Sequence, residues 1–168
     1  MSRRVSEAVE IAAAPETVSA HVDDFQNVGS HMTERSMAMM GRRLRLDRIS
    51  ENATGVGACY RWHGRIAGLA IDLTEVVTEW VPNRHQVWET VGDPRLIIMS
   101  GYRMSFTLAP MSTGTVLTIT IEYELPGSLF GRVLGWLLGD VYSRWCLRRM
   151  CRDTRKALEK GSVLAEKR

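Results

Sequence analysis

The residues that could do chemistry in this chain are dispersed rather than clustered. His21, His31, His63 and His85 stand far apart, with no HExxH pair and no histidine–cysteine cluster at ligand spacing, so no metal site is expected. His63, between Arg61 and Arg65, reads as a surface histidine. No GxSxG surrounds a serine, and Gly55-Val56-Gly57 lacks the rest of any phosphate-binding fingerprint. Nothing in the pattern calls for a cofactor. What the chain does supply is aromatic side chains with polar tips, set at period-two spacing. Tyr60 and Trp62 share one strand face, and Trp88 falls in the next short strand. Tyr102, Met104 and Phe106 alternate with Arg103 and Ser105, and Ile119, Ile121 and Tyr123 alternate with Thr120 and Glu122. Such faces either fill a solid core or line a small-molecule pocket, and a buried tyrosine hydroxyl in either setting needs a partner. A one-residue slip in strand phase would turn Glu89 or Arg103 inward.

The element that must cover these faces is the stretch Ser128–Glu159. Its apolar residues recur at three- and four-residue steps, the mark of an amphipathic helix, with Ser128 as N-cap. Val133, Trp136, Leu137, Tyr142 and Trp145 are expected to approach the pocket from the helix side, with Arg132, Arg144, Arg148 and Arg152 facing water. Gly131, Gly135 and Gly139 recur every four residues, and each costs about 0.5–1 kcal/mol relative to alanine inside a helix. Two readings account for them: close backbone approach to a neighbouring element, or a loosened half that opens the cavity mouth.

The preceding chain reads as one strand (Val5–Ile11), a short helix starting at Pro15, a second short helical or turn segment over 24–31 ending near Gly29, and about six strands in hairpin succession. These strands are expected over 37–49, from Gly57, over 70–80, 85–91, 96–108 and 115–125. Hairpin-linked strands with one apolar face make an antiparallel sheet that needs cover on that face only. Residues 1–160 therefore read as a single domain and 161–168 as a frayed C-terminal tail.

Composition excludes several classes. A net charge of +3 over 168 residues does not indicate a nucleic-acid partner. No run approaches the ~20 apolar residues of a transmembrane helix, and the N-terminus lacks the apolar core of a signal peptide. Cys59, Cys146 and Cys151 form no CxxC pair and fit reduced thiols in the cytoplasm. Arg42, Arg43, Arg45, Arg61, Arg65 and Arg103 form a basic stripe on the sheet's outer face. It is read as balanced by Glu75, Glu79, Glu122 and Glu124, with peripheral contact to anionic lipid headgroups as the alternative. Oligomeric state is not encoded in any of these patterns.

Val9-Glu10-Ile11-Ala12-Ala13-Ala14-Pro15-Glu16-Thr17-Val18 resembles the strand-then-helix entry of the START-like (SRPBCC) superfamily, the polyketide cyclase/dehydrase and lipid-transport family. Asp24-Phe25-Gln26-Asn27 resembles the segment that follows, with Val28 and Gly29 where a tryptophan is common. Gly55-Val56-Gly57-Ala58 and the helix start at Pro126-Gly127 are similar as well. The resemblance implies an α+β helix-grip fold: a curved antiparallel sheet of about seven strands around a long C-terminal helix, with two short helices after the first strand. It also implies an apolar cavity that binds a hydrophobic or amphipathic small molecule, such as a lipid, isoprenoid or aromatic metabolite. A cofactor-free enzyme of the polyketide cyclase/aromatase type is the alternative, and the scarcity of inward acid or base groups favours binding.

Overall fold

Alternation of apolar and polar residues becomes one seven-stranded antiparallel sheet, in the order β1-β7-β6-β5-β4-β3-β2. The computed structural model describes residues 2–33, 44–66 and 68–165. In chain order these form β1 (Ser2–Ile11), α1 (Pro15–Val22), α2 (Phe25–Val28), α3 (Ser30–Thr33), β2 (Arg45–Arg48), β3 (Cys59–Ile66) and β4 (Leu69–Val81). There follow β5 (His85–Arg95), β6 (Gly101–Met111), β7 (Gly114–Glu124) and α4 (Leu129–Ala165). The α+β helix-grip architecture expected from the sequence is present.

Local chemistry explains most boundaries. Pro15 opens α1, and the Asp24 side chain accepts the backbone N–H of Gln26 at 2.8 Å to start α2. The short helical or turn segment expected to end near Gly29 is α2, and Gly29 separates it from the single turn of α3. Ser128 caps α4, its Oγ accepting from the backbone N–H of Gly131 at 3.2 Å. The hairpin between β6 and β7 needs Gly114, whose φ is 149° and whose absent Cβ leaves room for the Ile11 carbonyl.

Three expected elements differ. The strand expected over 37–49 is present at Arg45–Arg48, while Met37, Met39, Arg42 and Arg43 lie outside the described residues. The strand expected over 96–108 begins at Gly101. Leu96, Ile97, Ile98 and Met99 form the connection from β5 instead, since four successive apolar residues have no alternation to hold them in a sheet with one wet face. Helical backbone in α4 continues past Gly161 to Ala165.

The sheet's inner face carries Trp62, Leu73, Val77, Trp88, Phe106, Leu117, Ile119 and Tyr123, all buried. On its outer face Arg61 pairs with Asp72 at 2.6 Å and Arg103 with Glu79 at 2.5 Å, so these two arginines of the basic stripe are internally neutralised. α4 runs along β1 and β7. Small residues form one buried edge of the helix: Gly131, Gly135, Gly139 and Ser143 are all buried, with Gly139 against β7 and Gly131 and Gly135 against the segments at Ile98 and Leu125–Ser128. A Cβ on Gly135 would stand 2.5 Å from the Ile98 carbonyl oxygen, and one on Gly139 would stand 2.6 Å from the Tyr123 hydroxyl. Close approach thus accounts for these glycines. Asp140, next along, accepts from the Tyr123 hydroxyl at 2.6 Å and pairs with Arg3 at 3.2 Å, locking the helix to two strands.

Gly135→Ala is expected to lower stability by up to about 2 kcal/mol, because overpacking of roughly 1–3 kcal/mol is offset in part by alanine's helix advantage of about 1 kcal/mol. Urea denaturation measures it, and a gain in stability would show that the edge is not in contact.

Candidate functional site

Between the sheet, α4, the short helices and the 96–99 connection lies a cavity of about 490 Å³. That is within the ordinary range of ligand pockets. Each surrounding element contributes a wall. Phe25 and Val28 come from α2, Trp62 from β3, Leu73 and Glu75 from β4, and Trp88 from β5. Tyr102, Met104 and Ile121 continue the sheet side, and Leu138, Val141, Tyr142, Trp145 and Leu147 close it from α4. Gly29 permits one of these contacts. It leaves the space that the Trp62 indole fills.

The walls are largely apolar and aromatic, and they carry one carboxyl group. Glu75 is buried at 3% exposure and is the only acidic residue lining the cavity among the described residues. Three donors converge on its carboxylate. The Trp62 indole N–H donates to Oε2 at 2.6 Å, while the Trp88 indole N–H and the Tyr102 hydroxyl donate to Oε1 at 3.1 Å and 2.6 Å. Burial raises the carboxyl's pKa above its usual range, and the hydrogen bonds from Tyr102, Trp62 and Trp88 oppose that shift. Burial, with the Glu75 charge beside it, holds the Tyr102 hydroxyl well above its ordinary value, so it stays a donor. Among the described residues no lysine, arginine or histidine lines the cavity. Of the roughly four lone-pair positions of a carboxylate, three are taken by these donors, which leaves capacity on Oε2 for one more.

The residues expected to line a pocket divide into three groups. Trp62, Trp88, Tyr102, Met104, Ile121, Tyr142 and Trp145 do border the cavity. Tyr60, Phe106, Ile119 and Tyr123 are buried on the inner face but belong to the packed core. Tyr60 stacks on Phe25 with centroids 4.4 Å apart and donates its hydroxyl to the Ala53 carbonyl. Val133, Trp136 and Leu137 point to solvent, contrary to expectation. The first half of the helix packs through its glycine edge, which turns those large side chains away.

Glu75 lies inward, not on the outer face where its charge alone would put it. Ile71, Leu73 and Val77 are inward by period two, and Glu75 falls in that series, so the signal is present in the spacing. Of the two groups that a slip of phase would turn inward, Arg103 is exposed and engaged with Glu79, and Glu89 does not border the cavity. Phe25, Val28 and the Leu96–Met99 run line the cavity without having been expected to, the last because its apolar run reads as part of a strand.

A seven-stranded antiparallel sheet packed on a long terminal helix, with a cavity between them, defines the helix-grip class. Residues 2–159 match the family described as polyketide cyclase / dehydrase and lipid transport, and the chain belongs to it. Members of this family bind hydrophobic ligands or act as cyclases. Among solved structures, TTHA0849 from Thermus thermophilus is 19% identical, with a TM-score of 0.63 over 97% of this chain and 99% of that one. A START superfamily protein from Mycobacterium smegmatis is 17% identical, with a TM-score of 0.63 over 94% of this chain and 97% of that one. The di-domain aromatase/cyclase StfQ of the steffimycin biosynthetic pathway is 13% identical, with a TM-score of 0.67 over 97% of this chain and 53% of that one. At these identities the likeness shows the fold alone. No curated protein matches the chain. Among the described residues no group of His, Cys, Asp and Glu is placed to hold a metal, and no helix is long and apolar enough to cross a membrane.

Two measurements probe the site. Because burial raises the folded-state pKa of Glu75 above its unfolded value, its contribution to stability is full below the unfolded value and is lost as pH rises through the folded one. The unfolding free energy of the wild type minus that of Glu75→Gln should therefore fall as pH rises above the ordinary glutamate value of about 4.3. A flat difference in urea titrations would mean that the carboxyl titrates normally. Burial also pushes the Cys146 and Cys151 thiols up to about 12, so both should stay silent towards a thiol reagent at neutral pH until denaturant is added.

Proposed function

We propose that the chain binds a hydrophobic or amphipathic small molecule in this cavity, with a hydrogen-bond donor of the ligand directed at Glu75. The observation that carries the reading is a single desolvated carboxyl group set in otherwise apolar and aromatic walls of about 490 Å³. Apolar walls supply affinity through removal of the ligand's surface from water, and one buried polar group sets its orientation. Leu73, Met104, Ile121 and Leu147 would hold the apolar body, while the remaining acceptor position on Oε2 would take a hydroxyl or amine. Lipids, isoprenoids and aromatic metabolites with one such group fit this description, and the cytoplasm is the compartment that the free thiols favour.

A second reading rests on the same carboxyl. An acid whose pKa is raised, hydrogen-bonded to the Tyr102 hydroxyl, is a usable proton donor and acceptor inside a dry cavity, as a cofactor-free cyclase requires.

Native mass spectrometry of the purified chain is expected to show a co-purified small molecule, and a neutral hydrophobic fluorophore should bind and be displaced by ligands. Ile97→Trp, which places a large ring at the cavity's edge, should weaken fluorophore binding about tenfold or more with the fold intact. Glu75→Gln should spare the fluorophore while weakening ligands that carry a donor by roughly tenfold. Unchanged binding in Ile97→Trp would remove the cavity as the site. Turnover of a polyketide-chain mimic that is lost in Glu75→Gln would favour the cyclase reading.

A further inference from the structure

The first half of α4 carries large apolar side chains into solvent. Leu129 and Phe130 are 83% and 81% exposed, and Val133, Trp136, Leu137 and Val141 lie between 55% and 65%. Contiguous apolar ridges of this kind mark a contact with another body. The acidic residue within this stretch, Asp140, is occupied by Tyr123 and Arg3. From Leu137 and Val141 the same outward line of the helix continues, at three- and four-residue steps, into Arg144, Arg148 and Arg152, all exposed. Arg148 reaches Glu7 and Arg152 reaches Asp153, whereas Arg144 takes part in no ion pair among the described residues of the helix. Together with Val141, Trp145 and Arg149 these three arginines border a groove of about 400 Å³. One helix face is therefore apolar in its first half and basic in its second. Val141 belongs to the ridge, to this groove and to the rim of the internal cavity.

We propose that this face of α4 docks on an anionic lipid bilayer, with Phe130, Val133, Trp136 and Leu137 in the acyl boundary and Arg144, Arg148 and Arg152 against the phosphates. An apolar segment followed by cations matches the layering of a membrane interface, where hydrocarbon lies beneath a plane of negative charge. A second copy of the chain matches it less well. Two-fold pairing of this face would offer the arginines either an apolar ridge or more arginines. On the sheet, Arg61 and Arg103 are paired to Asp72 and Glu79. The docking does not depend on what the cavity holds. Where it meets the function proposed above is the shared rim at Leu138 and Val141, which gives an apolar ligand a path from the bilayer without crossing water.

Co-sedimentation of the full chain with vesicles tests this, using phosphatidylcholine alone against mixtures with roughly 30% phosphatidylglycerol. Binding is expected on the anionic vesicles, about tenfold or more weaker on the neutral ones, and falling as salt is raised. The double variant Phe130→Ser, Leu137→Ser and the single variant Arg144→Glu should each weaken anionic-vesicle binding by about tenfold or more. Leu69→Ser, at an exposed leucine on β4, should leave it unchanged. The emission of Trp136 should shift to the blue on anionic vesicles, and this shift should vanish in Trp136→Phe. The cavity fluorophore should still bind all these variants, so that failure of docking and failure of the cavity are read separately. Absence of vesicle binding, or binding that survives Phe130→Ser, Leu137→Ser, would overturn the proposal. A solution dimer abolished by that double variant would instead assign the ridge to self-association.

Discussion

The distance between α4 and the sheet governs this structure. Helices and sheets ordinarily pack through interdigitated side chains. Here the helix presents glycine at every fourth position of its first half, and the Ile98 carbonyl and the Tyr123 ring occupy the space where side chains would stand. Two consequences follow from that steric choice. The helix lies close over β1 and β7, so the opposite side of the sheet, over β3 to β5, is left for a cavity rather than filled. Large residues on the flanks of the glycine edge then have nowhere to go but outward. Cavity and exposed ridge share one cause.

The polar interior obeys a different constraint. Removing a carboxylate from water is expensive unless hydrogen bonds replace the lost hydration. Two indole N–H groups and a phenol do so for Glu75, and those rings also form the cavity wall. Trp62 depends in turn on Gly29, whose missing side chain makes room for its ring. A chain of dependence therefore runs from a glycine in the α2–α3 turn, through an indole on β3, to the one acidic group on β4 that a ligand can meet.

Much of this is legible in the sequence. Strict alternation over 115–125 and 102–108 places β7 and half of β6, and the Ala-Pro-Glu entry places α1, because each is a local rule that tertiary context does not override. Glu75 escapes such a reading for a physical reason: a charged residue is outside by default, and that prior outweighs the phase of Ile71, Leu73 and Val77. The outward turn of Val133, Trp136 and Leu137 is harder. Apolar periodicity says which residues share a helix face, but the face that meets the sheet is chosen by glycine, which a hydrophobic pattern does not weigh.

The pairing of β1 with β7 bears on the order of events as the chain is made. β1 is synthesised first, yet its sheet partner ends at Glu124, and the helix that covers both follows later still. Ser2–Ile11 must wait with an unpaired edge while β7 is still to emerge, and closure then brings together segments distant in sequence. Hairpins β3 to β7 can form as they appear. The domain is completed only by its first strand and its last helix, which makes the N-terminal edge the vulnerable interval in its folding.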